Sequence, residues 1–161
     1  MPSLYEISVP VLAKSLKALS KILEKGSAHT ALPNEKLVTS RLIDDMEPLT
    51  FQIQKATDAA RFVAERLGNI EPVEFEYTEK TYDELQERIK KTLEILEAVK
   101  ESDFAGEETE ISFKIKNHEF NYTGKTYLLE WILPNFYFHF VTAYAILRKE
   151  GVNIGKRDYL Q

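Results

Sequence analysis

One histidine, His139, stands in surroundings where a polar side chain needs a hydrogen-bond partner or a ligand. It lies in the most aromatic stretch of the chain, Tyr127 to Arg148, together with Asn135. Large apolar side chains surround both polar groups, and burying a polar group without a partner costs free energy. The pattern indicates either a structural histidine, neutral and hydrogen-bonded, or a base at the wall of a pocket.

The sequence leaves two positions open for the hydrogen-bond partner of His139. One is Asn135, a single turn earlier on the same predicted helix, and the other is a polar group of the second long helix. On that second helix, Asp45 and Gln52 flank the apolar stripe at turns that can face His139. Because burial disfavours the charged imidazolium, we expect the pKa of His139 to lie below its usual value.

A metal centre is the second chemistry to consider, since imidazoles that project into a helical bundle hold zinc, iron or nickel. His29 follows the first predicted helix and His118 lies in a predicted hairpin turn, so neither is expected beside His139. Thr142 and Ala143, one turn beyond His139, are not strong ligands. The chain also has no cysteine, so we expect no bound metal and no other cofactor.

Composition excludes several other classes of protein. A length of 161 residues with 43% hydrophobic and 29% charged side chains fits one soluble domain spanning residues 1–161. The net charge of −5 disfavours nucleic acid and anionic membrane surfaces as partners. No apolar run approaches membrane-spanning length and no signal sequence begins the chain, so we expect a cytoplasmic protein.

Four long helices are predicted to position His139. Leucines at helical spacing predict the first helix, which ends near Lys25. Residues 44–47 and 81–84 have the pattern of a capping box and predict the starts of the second and third helices. The aromatic stretch is the fourth helix, and Pro134 inside it is expected to bend the axis and free a carbonyl.

A short hairpin and a tail complete the prediction. Apolar residues alternate with polar ones between Glu110 and Thr123, which is typical of two strands around a turn. Residues 152–161 are expected to fold back through Ile154, Tyr159 and Leu160. The predicted fold class is all-α, an up-and-down four-helix bundle with a small β-hairpin inserted before the last helix.

Several segments together resemble one known family. The segment Leu133-Pro134-Asn135-Phe136-Tyr137-Phe138-His139 and the segment Gly155-Lys156-Arg157-Asp158-Tyr159-Leu160 resemble the signature of the domain-of-unknown-function family numbered nineteen-ninety-three. Ser8-Val9-Pro10 and Arg41-Leu42-Ile43-Asp44-Asp45-Met46 also fit, so the resemblance covers essentially the whole chain. This family is similar to the DinB-like metalloenzyme superfamily, and the resemblance implies a DinB-like bundle.

The resemblance also implies a site. DinB-like proteins typically hold a divalent metal with three histidines, one from the second helix and two from the fourth, and some act as thiol-dependent transferases or isomerases. In this chain only His139 matches a fourth-helix position, and Asp45, Met46 or Gln52 stands where the second-helix histidine is expected. The resemblance therefore implies a degenerate metal site.

The sequence predicts that the chain binds a small, partly apolar molecule in a cleft around His139. One alternative is a metal-free acid–base enzyme of the isomerase or transferase type that uses His139. The other is a structural or homodimerising module. The polar groups predicted to line the cleft are Asn135, Asp45 and Gln52, its predicted apolar wall is Trp131, Phe136 and Tyr137, and the predicted dimer contact is Tyr137, Val141 and Tyr144.

Overall fold

The computed structural model describes residues 2–29 and 33–161 of the chain. It is rich in helix and has one small antiparallel sheet, as the sequence predicts. The elements in chain order are α1 (Val9–Ser27), α2 (Asn34–Val38), α3 (Leu49–Arg66), α4 (Tyr82–Glu97), a 3-10 turn (Glu101–Asp103), β1 (Glu110–Ile115), β2 (His118–Thr123), α5 (Gly124–Thr126), a π-helical turn (Tyr127–Ile132), α6 (Leu133–Lys149) and α7 (Lys156–Leu160).

Helix α3 contacts each of the other long helices, α1, α4 and α6. Most of its apolar side chains are buried, as Ile53 and Val63 illustrate, whereas Phe51 and Phe62 are half-buried. Its polar residues Thr57, Asp58 and Arg61 are buried as well, although charged side chains are rarely buried unless they are paired. This helix therefore places charged groups as well as apolar ones inside the protein.

The start of α3 differs from the sequence prediction. The expected capping box of Asp44 and Glu47 does not begin a helix, and α3 starts only at Leu49. Pro48 is the residue before the helix and has an extended backbone. Since a proline disfavours helical geometry in the residue before it, the helix cannot extend back through Glu47. Asp45 consequently lies in an exposed turn ahead of α3 and not on the helix.

The start of α4 agrees with its prediction. The backbone N–H of Glu84 donates to Oγ1 of Thr81 at 3.3 Å, and the N–H of Thr81 donates to a carboxylate oxygen of Glu84 at 2.9 Å. These reciprocal bonds are the predicted capping box, and they satisfy two backbone donors that have no partner inside the helix.

The predicted hairpin is confirmed, and it covers the beginning of the last long helix. Strand β1 pairs antiparallel with β2, with Phe113 directly opposite Phe120. The rings of these two phenylalanines lie 5.5 and 5.0 Å from the ring of Trp131, measured between centroids. The hairpin therefore buries part of Trp131 in an aromatic cluster of its own.

The helix ladder is irregular just before α6, where the sequence predicts a bend. A π-helical turn, Tyr127–Ile132, precedes α6, and Pro134 lies in the first turn of α6. Proline has no N–H to donate to the preceding turn, which leaves carbonyls there without their usual partner. The side-chain amide of Asn135 donates to the carbonyl of Trp131 in this irregular turn, at 2.7 Å.

The tail folds back onto α6, as expected. Ile154 is buried, and the ring of Tyr159 lies 4.6 Å from the ring of Phe140 between centroids. Leu160, however, is 57% exposed, so its expected burial is wrong.

Candidate ligand site

His139 of α6 is hydrogen-bonded to Gln52 of α3, with Nδ1 2.8 Å from Oε1. The hydrogen-bond partner of His139 is therefore a polar group of the second long helix and not Asn135. Gln52 is itself fixed, because its Nε2 donates to the backbone carbonyl of Glu47 at 2.9 Å. A carbonyl only accepts, so the amide nitrogen must face Glu47 and the amide oxygen must face His139.

The orientation of Gln52 determines the tautomer of His139. Since Oε1 of Gln52 accepts, Nδ1 of His139 must carry the proton, and Nε2 must hold a lone pair. Gln52 is the only hydrogen-bond partner of this ring among residues 2–29 and 33–161. The site therefore presents one oriented hydrogen-bond acceptor, Nε2, to whatever lies beside it.

The pKa of His139 is lowered to about 4, mainly by burial of the ring and also by the nearby Lys55 ammonium, while the Asp58 carboxylate acts in the opposite direction. The imidazole is consequently neutral at pH 7. A general base works best when its pKa is near the working pH. A group with a pKa of about 4 is suited to accepting a hydrogen bond and poorly suited to removing a proton.

Two aromatic rings flank the imidazole. The ring of Phe51 meets it edge-on at 6.0 Å between centroids, and the ring of Phe138 does so at 5.2 Å. His139 and Phe51 are half-buried, whereas Phe138 is 55% exposed. These three residues form a half-open aromatic surface, which we call the His139 patch.

Lys55 lies beside the same patch, one turn after Phe51 on α3. Its Nζ is 5.3 Å from the centre of the Phe51 ring and 4.5 Å from the centre of the Tyr77 ring. The same atom is 3.3 Å from Oδ2 of Asp58, and the lysine side chain is 33% exposed. The two rings hold the ammonium by cation–π attraction at the edge of the patch.

Beyond Lys55, a network of buried ion pairs joins α3 to α4. Arg88 of α4 contacts Oδ1 of Asp58 at 2.8 Å and a carboxylate oxygen of Glu79 at 2.7 Å. The hydroxyl of Tyr77 donates to Oδ2 of Asp58 at 2.8 Å. Arg61 extends the network to the carbonyl of Val73 at 2.7 Å. These bonds hold the segment 71–80 across the two helices, so the network positions Tyr77 and Lys55.

The residues predicted for the apolar wall contact parts of the protein other than His139. Trp131 lies under the hairpin, and Phe136 is fully buried against Phe140. The hydroxyl of Tyr137 lies 3.4 Å from that of Ser15 on α1. None of these contacts involves His139, and the contact of the three residues with a ligand stays a prediction.

Of the predicted polar residues, Gln52 contacts His139 directly. Asn135 instead bonds the carbonyl of Trp131, and Asp45 is exposed in the turn before α3. Surface cavities of about 440, 570 and 460 Å³ lie beside the segment 71–80, between α1 and α4, and along the hairpin, and His139 lines none of these three. The His139 patch is thus separate from them.

Sequence reasoning missed Phe51, Lys55 and Tyr77. The available signal was the alternation of sign in α3, where Lys55, Asp58, Arg61 and Glu65 follow one another at spacings of three and four residues. That pattern is typical of a solvated helix face. The face is buried here because the segment 71–80 covers it.

The donor set does not fit the three-histidine metal site implied by the resemblance. Both ends of the Gln52 amide are engaged, and the hydroxyl of Thr142 donates to the carbonyl of Phe138 at 2.7 Å. That leaves Nε2 of His139 as the single strong ligand. Across the described ranges, no three His, Cys, Asp or Glu side chains are grouped so as to hold a metal ion.

Comparison with known proteins gives a family and a fold. A family model described as "Domain of unknown function (DUF1993)" matches residues 4–160. A crystal structure of a DinB family member from Shewanella denitrificans is similar, with 36% identity and a TM-score of 0.86 over 98% of this chain and 92% of that chain. None of the curated proteins compared with the chain matches it significantly. No helix in residues 2–29 and 33–161 has both the length and the apolar character needed to cross a membrane.

Proposed function

The chain belongs to the family described as Domain of unknown function (DUF1993), and on this premise we propose that it binds a small, partly apolar molecule at His139. The ligand donates a hydrogen bond to Nε2 of His139 and lies against the exposed faces of Phe51 and Phe138. The proposal takes residues 1–161 as one domain, with the four long helices as an up-and-down bundle and the site between the second and fourth.

The observation that carries the proposal is the bond from Gln52 to Glu47, because it leaves the lone pair of His139 on Nε2. A structural histidine would have its hydrogen-bonding capacity satisfied by the protein. Here Gln52 holds one ring nitrogen, and no residue in the described part of the chain bonds the other, which lies beside an aromatic ring that is 55% exposed. Binding sites typically combine a mostly apolar surface with a few oriented polar groups.

The pKa of His139 favours binding over the alternative of acid–base catalysis. At about 4 it lies far below neutral pH, so the imidazole is a weak base in the folded protein. A hydrogen-bond acceptor, in contrast, needs only the neutral tautomer. Binding therefore uses the group in the state that the fold stabilises.

Titration with phenol and anisole tests the proposal. Both offer the same aromatic ring, but only phenol has an O–H to donate. The chain has three histidines, so proton NMR resolves few ring signals, and those missing in His139→Leu belong to His139. We expect both probes to shift these signals, and phenol to bind about three to ten times more tightly, as one hydrogen bond allows.

His118→Gln is the matched control, because His118 is exposed in the hairpin. It should keep the preference for phenol, whereas His139→Leu should lose it with its helical circular dichroism intact. If neither probe shifts the signals of His139 at millimolar concentration, the proposed function is wrong.

A homodimerising module is the second candidate function, and exposed apolar residues favour it. Phe138 and Val141 are 55% and 47% exposed and lie one turn apart on α6. Tyr144, however, packs at 6.3 Å from Tyr159 of the tail, so the same chain already covers part of the predicted dimer contact. Light scattering, which gives the molar mass in solution, distinguishes the two functions. A dimer that the change Val141→Lys dissociates, together with no binding of phenol or anisole, would support the dimerising function.

A further inference from the structure

We propose that the ligand of the His139 patch carries a carboxylate that binds Lys55, so that the ligand class is a small aromatic hydroxy acid. This inference rests on the proposed function and adds the charge of the ligand to it. It rests on three observations: the position of Lys55 beside Phe51, the unused hydrogen-bond donors of Lys55, and the ion pair between Asp58 and Arg88.

Lys55 and His139 share a neighbour. The ring of Phe51 lies 6.0 Å from the imidazole and 5.3 Å from Nζ of Lys55, so both polar groups are neighbours of the same aromatic ring. Gln52, which orients His139, is also only three residues before Lys55 on α3. A ring lying on Phe51 can therefore reach the acceptor with one substituent and the ammonium with another.

The ammonium of Lys55 has N–H donors that form no hydrogen bond within the described part of the chain. It carries three N–H groups, and in the described part of the chain its one hydrogen-bond acceptor is Oδ2 of Asp58, at 3.3 Å. One third of the side chain is exposed. The remaining donors have no acceptor among the described residues, so a ligand that reaches the exposed part of this side chain can use them.

Asp58 does not depend on Lys55 for its counter-charge. The shorter ion pair of Asp58 is with Arg88, at 2.8 Å, and Tyr77 donates to its other oxygen at 2.8 Å. Asp58 is 4% exposed, and its ion pair with Lys55, at 3.3 Å, is longer than its ion pair with Arg88. The position of Lys55 is fixed by two aromatic rings, which reduces the entropy that its side chain loses on binding an anion.

The test compares 3-hydroxybenzoate with 3-hydroxybenzamide, which share the ring and the hydroxyl and differ in charge. We expect the acid to shift the His139 signals with a dissociation constant about three to five times lower than that of the amide, as for a partly exposed ion pair. Lys55→Met should remove this difference, and Lys55→Arg should keep it. Lys17→Met, a change at an exposed lysine of α1, should leave it unaltered.

Salt provides a measurement that needs no variant. In the unaltered protein the preference for the acid should fall as ionic strength rises from about 10 mM to about 1 M, because salt screens exposed charges. This measurement decides the matter if Lys55→Met fails to fold.

The two proposals fail in different ways. Equal binding of the acid and the amide at low salt, while phenol still binds better than anisole, overturns the inference alone. Absence of any shift with all four compounds overturns the proposed function itself.

Discussion

Arg88 of α4 and Asp58 of α3 form an ion pair of 2.8 Å in which both side chains are almost fully buried, at 3% and 4% exposure. Arg88 also donates through Nε to the hydroxyl of Thr57 at 2.7 Å and through NH1 to the carbonyl of Glu76 at 2.8 Å. The guanidinium therefore connects α3, α4 and the segment 71–80 at a single point.

Replacing Arg88 with methionine should destabilise the protein strongly. The apolar replacement removes the shortest of the three ion pairs of Asp58 and leaves Lys55 and Arg61 beside the carboxylate. Breaking a buried ion pair by removing one partner costs about 3–5 kcal/mol. Urea denaturation followed by circular dichroism gives the free energy of unfolding.

Lys90→Met, an exposed change on the same helix, is the control and should stay within about 0.5 kcal/mol of the parent. A loss for Arg88→Met as small as that of the control would mean that the buried network contributes little to stability.

Gln52→Glu should raise the pKa of His139. The amide oxygen that accepts from Nδ1 becomes a carboxylate oxygen, and a nearby negative charge favours the imidazolium. Histidine ring signals followed by NMR from pH 3 to pH 8 report the pKa directly. Gln86→Glu changes a glutamine between α1 and α4, away from His139, and should leave the pKa where it is.

The sequence predicted local features well because their causes are local. The capping box of Thr81 and Glu84 needs only residues within one turn, and the alternation in residues 110–123 follows from the strand itself. The neutral state of His139 was also predictable from its apolar neighbours. The sequence left two positions for the hydrogen-bond partner of His139. Only the packing of α3 on α6 shows that Gln52 is the one used.

The sequence could not show which side chains are covered by segments distant in the chain, such as residues 71–80 and the hairpin. Arg88 lies between Leu85 and Ile89 in an apolar stripe, and its burial depends on the segment 71–80 folding across it. Trp131 faces the hairpin for the same kind of reason. Helical spacing gives the face on which a residue lies, but it does not say which loop or hairpin packs on that face.

Protein purified without metal-affinity tags or chelators should contain no stoichiometric zinc, nickel or iron. The site offers Nε2 of His139 as its one strong ligand, while structural and catalytic zinc sites use three or four. Elemental analysis by mass spectrometry gives the ratio of metal to protein. One equivalent of metal that disappears in His139→Leu would contradict the assignment of a degenerate site.

The stability of the protein should decrease as the pH falls from about 6.5 to about 4, and His139 should account for part of the loss. The pKa of His139 is lowered from its ordinary value of 6.5 to about 4 by burial of the ring. Between these values the unfolded chain binds a proton that the folded chain does not, so protonation favours unfolding in this window. Above pH 6.5 neither state binds the proton, and stability no longer depends on this group.

His139→Gln isolates this contribution, because glutamine does not titrate and its amide can still donate to Gln52. One pKa unit corresponds to about 1.4 kcal/mol, and solvent reduces the total for a half-buried ring, so we expect about 1–2 kcal/mol between pH 7 and pH 4.5. Urea denaturation of both proteins at these two pH values gives the four free energies of unfolding. The parent should lose more stability than His139→Gln over this interval. Equal losses would show that His139 does not titrate with a lowered pKa in the folded state.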